Sequence, residues 1–342
     1  MSQYIVVFTV AFLISVALTP LARYLSHKWG MVAVPGGRRQ HAGKMPVLGG
    51  LPLMGAYLAA SALALYLFPI AEGSRDGQYL RGVLLGSVVV FGGGLIDDWR
   101  ELSSGWQFVI QLAATAVAMW HEIFIERFRD PFNPLNERVI EWTAVIFILT
   151  LLWIVGLINI VNWLDGLDGL ATGVGTIALL LFSWHSYSLG QMTVAAFPLA
   201  LAGAAIGFLI FNFAPARIFL GTAGVFLLGY NLATLAILSP AKLSTALLVL
   251  ALPILDGVWL VIDRIRHGQS PLKGDRRHLH FRLSDGGFST QRIVIGYYVV
   301  ALAFGLVAVV ASSALVKIGI LAMLATAVLA FLVWLSKHLG QG

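Results

Sequence analysis

The sequence contains no cysteine and few charged residues. The absence of cysteine excludes disulfide bonds, thiolate metal sites and cysteine nucleophiles. Charged residues make up 11% of the 342 positions and hydrophobic residues 59%, whereas a soluble domain carries roughly 25% charged residues. With a mean hydropathy of +0.87, the chain cannot bury its apolar surface in one water-soluble core. We therefore expect an all-α polytopic membrane protein, with 1–342 forming a single domain.

A cleavable signal peptide is not indicated either, because residues 1–20 lack a basic n-region and an A-x-A-like site. We interpret this segment as the first of about eleven membrane-spanning helices, each of roughly 18 to 24 residues and long enough for a hydrocarbon core of ~30 Å. The expected spans are 3–22, 47–69, 79–96, 105–123, 141–161, 169–189, 192–213, 218–238, 241–262, 292–313 and 315–336. Polar Thr222, Tyr230 and Asn231 make the eighth span the weakest of the series.

Lysine and arginine are divided unequally between the two sides of this arrangement. One side holds 15 of the 22, and the positive-inside rule makes that side cytoplasmic. The N-terminus is then outside and the C-terminus cytoplasmic. The expected cytoplasmic loops are approximately 23–46, 97–104, 162–168, 214–217 and 263–291. The formal net charge of +6 suits an anionic membrane surface or an anionic substrate, and does not separate the two.

Acidic residues also gather on the cytoplasmic side, at the ends of spans. The adjacent Asp97 and Asp98 end the third span in GGGLIDDWRE, 92–101. Two like charges in a low-dielectric mouth repel each other and need a cation, a proton or an arginine nearby. A hard divalent cation such as Mg²⁺ is a natural partner for such ligands. Taken alone, a helix end that meets water beside Arg100 explains the pair equally well.

Two amides and two acids recur at every third position of NIVNWLDGLDGLATG, 159–173, as Asn159, Asn162, Asp165 and Asp168. On an α-helix each step of three falls about 60° short of a full turn, so the four cannot share one narrow face. Gly166 and Gly169 predict that the helix frays and the backbone bends, so that the last carboxylate leaves the helix. Bent backbone at membrane depth is tolerated where it lines a wet cavity. The alternative is a short turn with solvated acids.

Two segments on the same side are basic. The stretch from Arg264 to Arg292 carries seven Lys and Arg against two Asp, with His278 and His280 two positions apart. Such a loop facing carboxylates suits a phosphate-bearing substrate, whereas a topogenic loop beside lipid headgroups is the alternative. The segment GRRQHAGKMPVLGG, 37–50, is a weaker signal of the same kind.

Together these segments fit one reaction class. Carboxylates hold a divalent metal, the metal and basic groups neutralise a pyrophosphate, and an anionic acceptor attacks phosphorus. The position at the membrane face indicates that one substrate is a lipid. A polytopic transporter would place its acids near the bilayer midplane, whereas these cluster at one face. An intramembrane aspartyl protease would need a G-x-G-D setting that GGGLIDD does not supply.

From about Thr19 to Ser289 the chain resembles the polyprenyl-phosphate N-acetylhexosamine-1-phosphate transferases, a superfamily that includes the peptidoglycan lipid I synthase. The resemblance is carried, in order, by TPLARYLSHKWG, KMPVLGG, GGLIDDWRE, NIVNWLDGLDGLATG, FNFAPARIFLG, LPILD and DRRHLHFRL. It implies transfer of N-acetylhexosamine-1-phosphate, with GlcNAc-1-phosphate the commonest case, from a UDP-sugar to undecaprenyl phosphate. UMP is released at the cytoplasmic face of a bacterial plasma membrane, and a cell-envelope polysaccharide is begun.

The same resemblance implies the cofactor, the partners and the site residues. Mg²⁺ is the implied cofactor, with Mn²⁺ as the alternative. The implied partners are UDP-N-acetylhexosamine, undecaprenyl phosphate and the lipid bilayer. A homodimer is one assembly consistent with the family, and no nucleic acid partner is expected. The implied catalytic residues are Asp97, Asp98, Asp165, Asp168, His278 and His280, of which the four aspartates also bind the metal. The implied substrate-binding residues are Lys44, Asn159, Asn162, Asn212, Phe219, Arg276 and Arg277.

Three segments depart from the family pattern. In FLGTAGV, 219–225, Thr222 replaces an aspartate that is a Mg²⁺ ligand in the family, and Val225 replaces a serine. Phe281 stands where a further histidine is usual, and Ala33 where an aspartate is frequent. A neutral hydroxyl is a much poorer ligand for a hard cation. Three accounts stay open: an enzyme that binds Mg²⁺ through four aspartates alone, an impaired paralogue that binds a nucleotide-sugar or lipid, or an introduced substitution.

Overall fold

The structure, a computed structural model, describes residues 1–34, 43–71, 73–129, 137–139, 142–238, 240–268, 277–311 and 313–339. These residues form thirteen helices and two short hairpins. The helices are α1 (Ser2–Lys28), α2 (Gly50–Leu67), α3 (Arg75–Arg100), α4 (Ser104–Trp120), α5 (Thr143–Leu164), α6 (Leu170–Ser188), α7 (Met192–Asn212), α8 (Gly221–Ile237), α9 (Pro240–Val249), α10 (Ala251–Arg266), α11 (Leu279–Asp285), α12 (Thr290–Val310) and α13 (Ala314–Leu339). The strands are β1 (Val32–Ala33), β2 (Met45–Pro46), β3 (Arg127–Arg129) and β4 (Glu137–Val139).

Each of the eleven segments expected to span a membrane is helical, which confirms the all-α prediction. Within the described ranges, six helices are long and apolar enough to cross a membrane. The bent pair α9 and α10, counted as one span, brings the number to seven. The chain is therefore an all-α membrane protein. The short hairpins β1–β2 and β3–β4, both antiparallel, were not predicted.

One expected span is not a continuous helix. Within 241–262, α9 ends at Val249 and α10 begins at Ala251, and the two helices are bent by 76° from each other. Pro253 favours the break, because in a continuous helix its ring would clash with the carbonyl group of Val249. Proline is tolerated in the first turn of a new helix, where it lies here. The break places Asp256 in the buried first half of α10.

Helix α8 lies at the centre of the packing, and nearly all of its residues are buried. The polar side chains that weakened its prediction find partners on α3. The Tyr230 hydroxyl donates to the carbonyl oxygen of Gly82 over 2.9 Å, and the Asn231 amide donates to the Ser87 hydroxyl over 2.8 Å. Buried polar groups must be paired to be tolerated. These bonds therefore hold α8 in register with α3.

The β1–β2 hairpin joins the end of α1 to the start of α8. The Ser26 hydroxyl donates to the carbonyl oxygen of Met31 and accepts from the amide of Val47. The amide of Phe219 donates to the carbonyl oxygen of Pro46 over 2.8 Å, and the amide of Gly49 donates to the carbonyl oxygen of Phe219 over 3.1 Å. Phe219, just before α8, is thus held to the 46–49 stretch by two backbone hydrogen bonds.

Gly86 and Gly92, both on α3, offer a matched test of the packing between α3 and α8. A Cβ atom at Gly86 would overlap the side chain of Tyr230, whereas one at Gly92 would meet nothing within 4 Å. We expect Gly86→Ala to lower the free energy of unfolding by about 1–3 kcal/mol, as overpacking does. Gly92→Ala should be neutral or gain up to ~1 kcal/mol from helix propensity. Thermal unfolding in detergent compares the two, and equal midpoints would contradict the packing described.

Candidate active site

A cavity of about 650 Å³ lies where the end of α3, the turn between α5 and α6, and the start of α8 meet. The predicted site residues that line it are Asp97, Asp98, Asn162, Asp165, Asp168, Asn212, Phe219 and His278. They come from segments far apart in the chain. The structure therefore brings together the two acidic motifs that the sequence placed on one side of the membrane.

Asp97 is held by three donors at the end of α3. Its Oδ1 atom accepts hydrogen bonds from the amide of Leu102 and the side-chain amide of Gln107, both over 2.9 Å. Its Oδ2 atom accepts a hydrogen bond from the Thr222 hydroxyl over 2.6 Å. The carboxylate is buried, with 6% of the residue exposed. Neither Gln107 nor the role of Thr222 as a donor was predicted, because neither is implied by a local sequence pattern.

Asp98 caps the first turn of α8. Its two oxygens accept hydrogen bonds from the amides of Thr222 (2.7 Å) and Ala223 (3.0 Å). A carboxylate at this end of a helix satisfies amides that have no partner within the helix and interacts favourably with the helix dipole. Gly221 makes the approach possible. Its φ is +72°, and a Cβ atom there would overlap the carbonyl oxygen of Val47 and lie 2.8 Å from the Asp98 carboxylate.

The turn between α5 and α6 carries the other two aspartates. Helix α5 ends at Leu164 and Asp165 follows it, whereas Gly169, with a φ of +79°, is the residue just before α6. The predicted bend is thus confirmed, and Asp165 leaves the helix as well as Asp168. An Asp168 oxygen accepts a hydrogen bond from the amide of Ala216 over 2.8 Å. Asp165 receives no side-chain hydrogen bond from the residues that the structure describes.

The electrostatic setting of Asp165 is unfavourable to its charge. Burial, and then the like charges of Asp168 and Asp98, raise the pKa of the Asp165 carboxyl to about 7. With Glu101, the four aspartates place five carboxylates along one partly closed cavity. These groups repel one another, and a hard cation with oxygen ligands would relieve the repulsion. The donor chemistry therefore fits Mg²⁺. Among the described residues, however, no three acidic or histidine groups converge into a ready-made metal site.

The three predicted asparagines divide into two groups, those that line the cavity and one that does not. Asn162 lines the cavity, and so does Asn212, whose side chain accepts from the Thr172 hydroxyl (2.8 Å) and donates to the carbonyl oxygen of Ile218 (3.0 Å). Asn159 does not line the cavity. Its side-chain amide donates to the Gln111 side chain over 2.7 Å, on the face of α5 toward α4. The change of face follows from the 60° shortfall at each step of three.

The two predicted histidines have different surroundings. His278 lines the cavity, and its Nδ1 atom lies 2.8 Å from a carboxylate oxygen of Asp256. His280 is stacked on His278, with ring centroids 5.6 Å apart, and it packs where a Cβ atom of Gly166 would be. Burial, and then the charge of His278, lower the pKa of His280 to about 3. His280 therefore remains neutral and supports the Asp165 turn from outside the cavity.

The predicted basic residues lie away from the cavity or outside the described ranges. Lys44 is exposed and does not line the cavity. Arg277 is also outside the lining and donates to the Asp263 carboxylate over 2.6 Å. Arg276 lies outside the described residues. The role of all three in substrate binding stays a prediction.

The chain is similar to one family model over part of its length and to several named transferases over most of it. The model of glycosyl transferase family 4 matches residues 80–240, which include both acidic motifs. A probable undecaprenyl-phosphate N-acetylglucosaminyl 1-phosphate transferase of Bacillus subtilis is 30% identical over 92% of this chain and 86% of its own. A decaprenyl-phosphate N-acetylglucosaminephosphotransferase of Mycobacterium leprae is 32% identical, over 84% and 78%. A phospho-N-acetylmuramoyl-pentapeptide-transferase of Listeria innocua is 30% identical, over 90% and 98%.

Gly221, the first residue of α8, allows a test of the Asp98 cap. Gly221→Ala and Gly190→Ala both place an alanine at positive φ, but a Cβ atom at Gly190 would meet nothing within 4 Å. We expect Gly190→Ala to lower the free energy of unfolding by about 1–2 kcal/mol from the left-handed backbone alone. Gly221→Ala should lower it further, because it also displaces Asp98. Thermal unfolding in detergent measures both variants. An equal loss in the two would argue against the close approach at Asp98.

Proposed function

Because the chain belongs to glycosyl transferase family 4, we propose that it transfers N-acetylhexosamine-1-phosphate, with GlcNAc-1-phosphate as the first choice, from a UDP-sugar to undecaprenyl phosphate. UMP is released, and the lipid-linked sugar begins a cell-envelope polysaccharide. One observation above all supports this reaction: four aspartates from two distant motifs line a single cavity at the ends of membrane helices. There, a lipid phosphate and a water-soluble nucleotide can meet.

In the proposed reaction, an oxygen of the lipid phosphate attacks the sugar-side phosphorus of the UDP-sugar. The bond from that phosphorus to the bridging oxygen breaks, and UMP leaves with the oxygen. A phosphate monoester with a second pKa near ~6 is mostly ionised at neutral pH, so it needs little help from a base. Asp97 and Asp98 therefore position the acceptor more than they deprotonate it. Phe219 offers a ring for the uracil, with Asn162 and Asn212 beside it.

The cofactor in this proposal is Mg²⁺, with Mn²⁺ as the alternative. When bound, it would offset the charge of the pyrophosphate and of the carboxylates. Asp165 and the second oxygen of Asp168 are the groups with most capacity to hold it, because both oxygens of Asp97 and of Asp98 already accept hydrogen bonds. We include all four aspartates in the proposed ligand set, since Mg²⁺ binding would exchange some of these bonds.

We also propose an arrangement with eleven spans, with the cavity on the cytoplasmic side of a bacterial plasma membrane. Exposed tryptophans support it, since tryptophan concentrates at both membrane interfaces. Trp99 and Trp106 are exposed at the cavity end, and Trp120, Trp142 and Trp184 at the other ends of their helices. Helix α4 has one exposed tryptophan near each end, which supports a crossing by α4 although it is only 17 residues long.

A second candidate function rests on Thr222. Its hydroxyl occupies an oxygen of Asp97, and it adds no charge for a metal. A paralogue that binds a nucleotide-sugar or lipid without turnover is therefore the alternative to an active enzyme. A titration with metal ions separates the two.

The test is UMP release from UDP-GlcNAc and undecaprenyl phosphate by the purified protein over a range of Mg²⁺ concentrations. We expect turnover by the natural protein, its loss with a chelator, and a half-maximal Mg²⁺ concentration about tenfold lower in Thr222→Asp, because ligand charge tunes affinity. Thr222→Ser, which keeps the hydroxyl, is the matched control and should resemble the natural protein.

The other outcomes have distinct meanings. Turnover only in Thr222→Asp would support the impaired paralogue. If neither the natural protein nor Thr222→Asp released UMP, with other UDP-N-acetylhexosamine donors also supplied, the proposed transferase activity would be refuted.

The absence of cysteine allows a clean test of orientation. Ser188 lies at the end of α6 and Ser289 just before α12, and both are exposed. In intact spheroplasts, a membrane-impermeant maleimide should label Ser188→Cys and leave Ser289→Cys unlabelled until the membrane is opened. The natural chain provides the unlabelled background. The reverse pattern would invert the proposed orientation.

A further inference from the structure

A buried carboxylate outside the four cavity aspartates holds His278, which among the described histidines is the one that lines the cavity. Asp256 and His278 are each 3% exposed. The Nδ1 atom of His278 lies 2.8 Å from Oδ2 of Asp256, and the amide of Leu279 donates to Oδ1 over 3.0 Å. Both oxygens of Asp256 are therefore committed to the start of α11, one to the ring and one to the backbone.

Packing fixes the plane of the His278 ring and leaves its second nitrogen, Nε2, without a hydrogen bond to the described part of the chain. The ring lies between Trp163, with centroids 5.8 Å apart, and His280, at 5.6 Å, so its plane is set by packing. The Nε2 atom is buried and has no hydrogen-bond partner among the residues that the structure describes. A buried polar atom without a partner needs an explanation, and for His278, which lines the cavity, a bound ligand supplies one.

We propose that Asp256 is a positioning residue, which accepts a hydrogen bond from Nδ1–H of His278 and favours the doubly protonated ring, so that Nε2–H donates to a phosphate oxygen of the nucleotide-sugar. This inference rests on the proposed function. When Nε2–H donates to the anionic oxygen, the ring carries a positive charge, and the carboxylate of Asp256 offsets that charge inside the protein. The contact also supplies a cationic group to a cavity whose other charged lining residues, in the described part of the chain, are acids.

Asp256→Asn tests the proposal with almost no change in shape. The side-chain oxygen of asparagine can still accept from the amide of Leu279, but its NH₂ group would face Nδ1 and remove the hydrogen from that atom. We expect kcat/KM for UDP-GlcNAc to fall on the order of 10- to 100-fold, as for other carboxylates that orient a ligating histidine. The KM for undecaprenyl phosphate should stay within twofold. Asp256→Glu, which keeps the carboxylate, should recover part of the loss.

A double-mutant cycle separates positioning from a merely structural role. If Asp256 acts through His278, then Asp256→Asn combined with His278→Gln should be no worse than His278→Gln alone. Losses that multiply, an equal rise in KM for both substrates, or an effect of Asp256→Asn within twofold would each overturn the proposal. Asp76→Asn, which removes a carboxylate from the first turn of α3, is the control and should leave turnover unchanged.

A spectroscopic readout keeps the inference independent of turnover. In protein labelled with ¹⁵N-histidine, the ring signals assigned through His278→Gln should show a hydrogen on Nδ1 in the natural protein and its loss in Asp256→Asn. If the natural protein releases no UMP from any donor, the proposed function fails while this spectrum still reports the contact. If the protein is active and the Nδ1 hydrogen persists in Asp256→Asn, only the role of Asp256 is refuted.

Discussion

The contact between the end of α3 and the start of α8 is the constraint on which the rest of the site depends. Asp97 and Asp98 together receive both the hydroxyl and the amide of Thr222, as well as the amide of Ala223. These bonds pair two carboxylates with the positive end of a buried helix, which reduces the cost of keeping the charges at the membrane face. These bonds also position one wall of the cavity, because Phe219 and Gly221, which line it, immediately precede the residues that bind Asp98.

The rigidity of this contact comes from the core. Helix α8 is buried along nearly its whole length, and Tyr230 and Asn231 bind it to α3 two to three turns below the cap. On the other side, the turn with Asp165 and Asp168 is supported from beneath by His280 at Gly166. The acidic residues are thus presented by helix ends and a short turn that packing holds in place, as precise ligand and substrate geometry requires.

Hydrophobic segments, glycines and acidic motifs were enough to predict the long apolar helices and the turn at Asp165, but not the short helix α11 in the expected loop 263–291. They also indicated that Asp97, Asp98, Asp165 and Asp168 belong to one face, because the periodicity and charge bias of spans are local signals. The partners of these residues were not predictable. Gln107 reaches Asp97 across the turn between α3 and α4, and Thr222 reaches it from a segment distant in sequence. Neither contact is reported by a local pattern, and neither is the contact of Asp256 with His278. The break before α10 does not follow from proline alone, because Pro20 and Pro198 lie inside α1 and α7, which are continuous helices.

Position 222 contributes to the site in two separable ways. Its amide supports Asp98 whichever residue stands there, whereas its side chain alone decides what Asp97 meets. If Mg²⁺ binds as proposed, a substitution at this position can therefore alter the metal affinity while the cap of α8 is kept. In evolution, a change of one codon at position 222 could then make the proposed dependence on the ion stronger or weaker. The helices and turns that form the cavity would be inherited unchanged.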